Sequence, residues 1–355
     1  MNMDKLLTLI IPTYNMERYL STCLDSLLVG KQQAQLEVLV VNDGSKDSSS
    51  AIAHEYMERH PETFRVIDKE NGNYGSCINR GLKEMTGKFV KVLDADDHFN
   101  TDELRKLLQK LATVDSDLLL TDNTIFGDND ISKKYYGFPF TPEVEMAFTD
   151  ICGKDEFKGC IQMHHVTYNR RIFEGFSYHQ TEGISYTDME WIFLPMSRVA
   201  TVTYLPLPLY CYLVGREGQT VAPQQMKRSA EHHAILVNDL LTHYEQADKS
   251  KPAICDYLNF RLARQVKYLY RIYLAEFPGM DCDKLVQIDQ RLQQVHPALY
   301  EEVGRRTMGP FIRIHYVRYW RRHGYAAQPK YFYTLFNAYN KTLNFTKKLL
   351  GIYNV

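Results

Sequence analysis

The stretch Lys88-Phe89-Val90-Lys91-Val92-Leu93-Asp94-Ala95-Asp96-Asp97 decides how this chain folds. Lys88 to Leu93 reads as a buried strand, and the Gly87 before it reads as the stop of a helix. The strand runs straight into Asp94, Asp96 and Asp97. Carboxylates massed where a strand meets its loop are costly unless they hold a cation or a polyhydroxylated ligand. A second apolar run, Leu36 to Val41, likewise ends in Asn42-Asp43-Gly44-Ser45. Two acidic strand ends in one α/β segment imply a shared crevice at the carboxyl edge of a parallel sheet, where such folds bind ligands.

The pattern on either side agrees. Leu6 to Ile11 is a continuous apolar run, as expected of a strand covered on both faces. Tyr19, Leu20, Cys23, Leu24, Leu27 and Leu28 repeat at helical spacing, with Asn15 available as N-cap. Asp47 and Ser48 open a helix that ends near Pro61; Phe64 to Asp68 is a third strand; Ile78, Leu82 and Met85 mark the next helix. Another helix spans Thr101 to Leu111, and a strand follows at Leu118 to Leu120. Gly183 to Phe193 reads as an approach to a helix, and Thr201 to Leu213 as a strand that Pro206 and Pro208 assign to an edge. The expected fold is α/β: a doubly wound, mostly parallel sheet plus a C-terminal helical appendage. The expected division is an α/β domain at 1–222, a helical appendage at 223–302 and a basic aromatic amphipathic tail at 303–355.

The chain of 355 residues exceeds the usual size of one core, and its 45% hydrophobic content suits a packed globular protein. A formal net charge of −1 hides an asymmetry, because no Asp or Glu follows Glu302 while that tail carries ten Lys and Arg. Residues 1–302 hold the remaining 32 basic residues against 43 acidic ones. A basic tail on an acidic body points to an anionic partner surface. Seven cysteines without a Cys-x-x-Cys pair argue against a disulfide framework and a zinc site, and fit a reducing cytoplasm. The first apolar run is six residues long and stopped by Pro12, too short for a signal peptide, and nothing approaches the ~20 apolar residues of a membrane span.

The turn after the first strand is Pro12-Thr13-Tyr14-Asn15 rather than the glycine-rich loop that a Rossmann cofactor site or a nucleotidyltransferase needs. A haloacid-dehalogenase-like phosphatase would carry its aspartates directly after strand one, whereas here they follow strand four. Ile10-Ile11-Pro12-Thr13-Tyr14-Asn15, Val41-Asn42-Asp43-Gly44-Ser45-Lys46-Asp47, Asn79-Arg80-Gly81 and Leu93-Asp94-Ala95-Asp96-Asp97 instead resemble, in order and spacing, family 2 glycosyltransferases of the GT-A fold and bacterial cell-surface polysaccharide type. The resemblance covers roughly residues 6 to 220. It implies a nucleotide-sugar donor, usually UDP-linked, held by Pro12, Thr13, Tyr14, Asn15, Asp43, Asn73, Asp94 and Ala95, and a Mg²⁺ or Mn²⁺ ion on Asp96 with Asp94. Chemistry agrees, since a carboxylate at Asp43 suits the imide N–H of uracil and hard divalent cations prefer oxygen. The bland reading of Asp43 and Asp97 is loop capping before a turn.

Thr187-Asp188-Met189-Glu190-Trp191 resembles the family's Glu-Asp pair, with Asp188 aligned to the general base and Thr187 in place of the Glu. Asp188 could otherwise be a helix N-cap and Glu190 a solvated residue. The family's usual arginine in the third helix is Ile78 here, and Arg80 lies on a different helical face. Arg216, on a glycine-flanked loop, is a candidate for meeting the diphosphate. His164 and His165 point to opposite faces if they sit in a strand, so one is read as an acceptor contact and the other as structural. The tail interleaves Tyr316, Tyr319 and Trp320 with Arg318, Arg321 and Arg322, as interfacial helices do. The expected partners are a glycan or polyprenyl-linked glycan acceptor, an anionic membrane surface on the inner face of the cell membrane, a possible homo-oligomer and no nucleic acid. A catalytically silent homologue acting as a membrane-bound assembly partner is the rival reading.

Overall fold

The computed structural model describes residues 5–127, 134–214, 230–309 and 312–349. They form two compact units, one of Met1–Gln219 with Asp248–Leu258 and one of Thr220–Ala247 with Asn259–Val355. The first unit is built on strands β1 (Leu7–Thr13), β2 (Leu36–Asn42), β3 (Phe64–Asp68), β4 (Phe89–Val92), β5 (His98–Phe99), β6 (Leu118–Gly127), β7 (Lys134–Tyr136), β8 (Glu145–Ala147), β9 (Val166–Asn169) and β10 (Thr201–Val214). They join in one sheet of order β3-β2-β1-β4-β9-β6-β10-β5, with β7 on β6 and β8 on β10. β1 is parallel to β2 and β4, and β2 to β3, so four strands deliver their carboxyl ends to one edge. β9 runs antiparallel between β4 and β6, which makes the second half of the sheet mixed.

Every residue of β2 is buried, as its unbroken apolar run requires of a strand covered on both faces. Helices α1 (Leu20–Asp25), α2 (Ser49–Arg59), α3 (Asn73–Glu84) and α4 (Thr101–Leu111) connect the strands. In α4, Leu104, Leu107, Leu108 and Leu111 form one buried face, and the Asn100 side chain accepts from the amides of Asp102 and Glu103. The short helices α5 (Asp155–Lys158) and α6 (Asp188–Trp191) follow.

Three local expectations are corrected. Asn15 does not cap α1: it sits at φ 53°, and its side chain accepts from the Lys46 amide at 2.8 Å, tying the loop after β1 to the loop after β2. Gly87 does not end α3, which stops at Met85 in an extended conformation. A Cβ at Gly87 would stand 2.7 Å from the Thr8 amide nitrogen, so glycine is required there by the close approach to β1. Finally, β10 is not an edge strand, because β6 lies along one side of it and β5 and β8 pair on the other. Its prolines fall where the register with β6 slips, between Leu205 and Pro208, and a bulge tolerates the missing donor.

The second unit is helical: α7 (Ala230–Gln246), the later turns of α8 (Pro252–Arg271), α9 (Asp283–Val295), α10 (Pro297–Arg305), α11 (Tyr316–Arg322) and α12 (Lys330–Leu349). Tyr316, Val317 and Trp320 are buried in it. Arg321 donates through Nη2 and Nε to the fully buried Asp289 carboxylate at 2.7 and 2.9 Å and stacks 3.5 Å over the Tyr300 ring. Among the described residues no helix is long and apolar enough to cross a membrane.

Candidate active site

The carboxyl ends of β1 and β2 shape the first part of the site. The Asp43 amide donates to the Thr13 carbonyl at 2.8 Å, and Gly44 turns the chain at φ 74°. The Asp43 carboxylate is 3% exposed, and one oxygen accepts from Lys69 Nζ at 2.5 Å and from the Gly72 amide at 2.9 Å. Lys69 spends its other protons on Ser76 Oγ at 2.8 Å and the Glu70 carbonyl at 2.6 Å. Beside this buried pair lies a cleft of about 550 Å³ lined by Tyr14, Asn42, Gly44, Lys46, Asp68, Lys69, Glu70 and Asn71, with Tyr14 exposed at its mouth. Asp68 accepts from Asn42, Ser50 and His54 at 2.7–2.9 Å. Burial pushes its carboxyl up, but these donors outweigh that and hold it below the ordinary range.

The end of β4 supplies the carboxylates. Tyr210 bridges their turn, since its hydroxyl accepts from the Asp94 amide at 3.2 Å and donates to Asp97 Oδ2 at 2.7 Å, while the Leu213 amide donates to Asp97 Oδ1 at 2.8 Å. Both oxygens of Asp97 are therefore engaged. Burial, with the charges of Asp96 and Asp94, raises its pKa well above the usual range. Asp94 and Asp96 are half-buried, and Tyr74 donates its hydroxyl to Asp94 Oδ1 at 2.8 Å. His164 lies between the rings of Tyr210 and Tyr212, at 4.4 and 4.5 Å, and its Nδ1 has no hydrogen-bond partner. Burial, reinforced by Lys91, drives its pKa down to about 3, so the imidazole is neutral. Lys91, itself fully buried with a pKa driven by burial to about 7, donates to the carbonyls of His164 and Val166 at 2.6 and 3.1 Å.

Asp94, Asp97 and His164 bring one ligand atom each within 4.8 Å of one another. Carboxylate oxygens suit Mg²⁺ or Mn²⁺, whereas the imidazole nitrogen is a softer ligand that hard Mg²⁺ takes least readily. Asp97 already serves Tyr210 and Leu213, so it braces the turn, and Asp96, expected as a metal ligand, is not one of the three residues of this cluster.

Asp188 opens α6, half-buried, directly after the fully buried Thr187. Gln180 Nε2 donates to the Thr187 carbonyl and hydroxyl at 2.7 and 3.0 Å. Glu190 is 1% exposed and accepts from the Thr181 amide and hydroxyl at 2.7 and 2.6 Å, so it braces the loop and is not the solvated residue that the sequence allowed. That loop rests on α3: the Asn79 amide exchanges two 2.8 Å bonds with the Gln180 backbone, and the Gly183 amide donates to the Gly72 carbonyl at 2.8 Å. A Cβ on Gly75 would lie 2.1 Å from the Thr181 carbonyl oxygen. Burial first, then the charge of Asp94 and, less strongly, that of Asp188 raise the Tyr74 hydroxyl well above its ordinary pKa.

The carboxyl ends of β1, β2 and β4 carry Thr13, Tyr14, Asn15, Asp43, Asp94, Ala95 and Asp96 to one edge of the sheet, with Pro12 inside β1 and Ala95 buried in the carboxylate turn, while Asn73 opens α3 and Asp188 opens α6. Ile78 is fully buried, and Arg80 is turned outward to Glu84 at 2.9 Å. Arg216 lies outside the described residues. His164 and His165 occupy a short 3₁₀ turn, Met163–His165, rather than a strand. They still diverge, as His165 bonds to Asn123 at 2.8 Å and packs on Phe138, away from Asp94. Sequence reasoning missed Lys69, Tyr74 and Tyr210. Tyr74 carries a signal, a large residue between glycines at the start of a helix, whereas Tyr210 lies in a strand with no local mark.

Residues 8–175 match the model of glycosyl transferase family 2. The glycosyltransferase GlyA of Streptococcus pneumoniae is 33% identical over 130 residues, 37% of this chain and 18% of that protein. The uncharacterized glycosyltransferase MG025 of Mycoplasma genitalium is 39% identical over 105 residues, 29% of this chain and 35% of that protein. The chain spans less than half the length of these curated relatives. Residues 1–349 of S. aureus TarS, solved in complex with UDP-GlcNAc, superpose with a TM-score of 0.63 at 20% identity, over 95% of this chain and 92% of that one, which shows the shared GT-A fold. The segment 8–175 is thus similar to glycosyltransferase family 2, and the fold around it to that of TarS.

Proposed function

We propose that the protein transfers a sugar, with inversion, from a UDP-linked donor to a hydroxyl of a glycan or lipid-linked glycan acceptor in cell-envelope, capsule or exopolysaccharide synthesis. The observation that carries this is the carboxylate turn after β4, where Tyr74 donates its hydroxyl to Asp94 Oδ1 at 2.8 Å and Tyr210 spans Asp94 and Asp97, on the sheet edge that also carries the cleft beside Lys69. The TarS complex with UDP-GlcNAc supports the donor class.

In this reading the base lies by Tyr14 and Asp43. Lys69 orients the Asp43 carboxylate, an acceptor for an imide N–H, a donor that uracil has and that cytosine and adenine lack. Asp96 with Asp94 would hold a divalent cation, which would supply charge neutralisation for the departing diphosphate. Asp188 takes the proton of the acceptor hydroxyl as that oxygen attacks the anomeric carbon and UDP leaves, so no covalent enzyme intermediate forms. Ser76, Gly72 and Asn71 hold the Lys69–Asp43 pair in place.

The exposed side of α12 supports membrane contact. Tyr331 and Leu335 are 55% and 39% exposed one turn apart, with exposed Lys330 and Lys341 on a segment lacking acidic residues. Binding of UDP, GDP, ADP and CDP, each with and without Mn²⁺, tests the donor assignment. Selective, metal-enhanced UDP binding is expected; equal binding of all four, or preference for a purine, would overturn it.

A further inference from the structure

Tyr74 has no part in the roles given above. It is the second residue of α3, just after Asn73, whose φ of 64° turns the chain at the helix start. The ring is inserted between elements: its hydroxyl donates to Asp94 Oδ1 at 2.8 Å and lies 3.4 Å from Met163 Sδ. Asp94 is gripped from its other side by Tyr210, which accepts its backbone N–H at 3.2 Å. A lysine or arginine at this point would neutralise Asp94 and compete with a cation. A phenolic hydroxyl fixes one oxygen by a single bond and leaves the charge of the carboxylate in place. The neighbouring Gly75 packs so closely on the Thr181 carbonyl that a Cβ would lie 2.1 Å away. The backbone that carries Tyr74 is therefore locked to the loop that leads to Asp188.

We infer that Tyr74 is a positioning residue of the transfer reaction: its hydroxyl holds Asp94 in the orientation that presents the carboxylate to donor and cation, and sets Asp94 in register with the helix carrying Asp188. This rests on the glycosyltransferase reading. The bland counterpart is a core tyrosine whose hydroxyl merely found an acceptor, which predicts a loss of stability and nothing else.

The test compares wild type with Tyr74→Phe, which keeps the ring, in three measurements: thermal midpoint, Mn²⁺ titration of UDP binding by calorimetry, and kcat and KM for the UDP-sugar that wild type hydrolyses. The expected result is a folded variant that binds UDP as wild type does without metal, needs about 10- to 100-fold more Mn²⁺ for the same enhancement, and loses kcat by a similar factor with KM changed less than about threefold. That factor is what one hydrogen bond to a charged group supplies. Wild-type metal titration and kcat in Tyr74→Phe overturn the inference, as does a variant that fails to fold, because positioning leaves the fold intact. If wild type itself shows no metal-enhanced UDP binding, the glycosyltransferase reading falls and takes this one with it; if wild type shows it and Tyr74→Phe matches, only Tyr74 is reassigned.

Discussion

At the scale of single residues, three carboxylates a few positions apart receive different tasks from their surroundings. Asp97 is consumed by Tyr210 and the Leu213 amide, Asp94 is held by Tyr74, and Asp96 stays half-buried at the turn. Asp96→Asn keeps the shape and removes the charge, so it should abolish turnover and the metal enhancement of UDP binding, read by calorimetry in the same protein. Asp188→Asn should lower transfer by at least about 10²-fold, the low end for a lost general base, with UDP affinity nearly unchanged. Equal losses in affinity and rate would make Asp188 a donor contact instead. Burial lowers His233 to about 4 against an ordinary value near 6.5, so between those pH values the unfolded chain binds more protons than the folded one. The stability from neutral His233 is present above the unfolded value and is lost as pH falls through 6.5 toward 4. His233→Gln, which keeps a donor for the Gln265 carbonyl 3.2 Å away, should shrink the drop in thermal midpoint between pH 7.5 and pH 4.5.

At the scale of elements, the contact between α3 and the loop at 180–183 decides where the base stands. Gly75→Ala places a methyl group against a backbone carbonyl that no rotamer can move. It should cost about 1–3 kcal/mol of stability, typical of overpacking, and at least about tenfold in rate, checked by denaturant unfolding beside a UDP-release assay. The first half of the sheet was legible because its strands are unbroken apolar runs and its helices repeat at 3.6 residues; β3 and α4 fall where the pattern puts them. The rest was hidden for physical reasons. β10 looks like an edge strand because of its prolines, and only the slipped register with β6 shows how a strand flanked on both sides tolerates them. Lys69, Tyr210 and Glu190 act through partners 26, 113 and 9 residues away, which no local pattern reports.

At the scale of the whole molecule, the basic tail divides by burial. Trp320 and Arg321 belong to the interior of the second unit, where removing Arg321 would leave Asp289 buried and lacking its guanidinium, a loss of about 3–5 kcal/mol. Truncation would therefore confuse stability with membrane attachment. The cleaner variant is Tyr331→Ser with Lys330→Glu and Lys341→Glu, all exposed on α12. With about 1 kcal/mol per basic residue near an anionic surface, wild type should bind phosphatidylserine vesicles more weakly as salt rises, and the triple variant should lose that binding while still releasing UDP from donor. Unchanged vesicle binding in the variant would remove α12 from the interface. The most direct test of the central claim is UDP release from a panel of UDP-sugars, with Mn²⁺ and with excess chelator. The account predicts turnover of at least one sugar that chelator abolishes and added Mn²⁺ restores. No turnover of any UDP-sugar, or turnover indifferent to chelator, would contradict it.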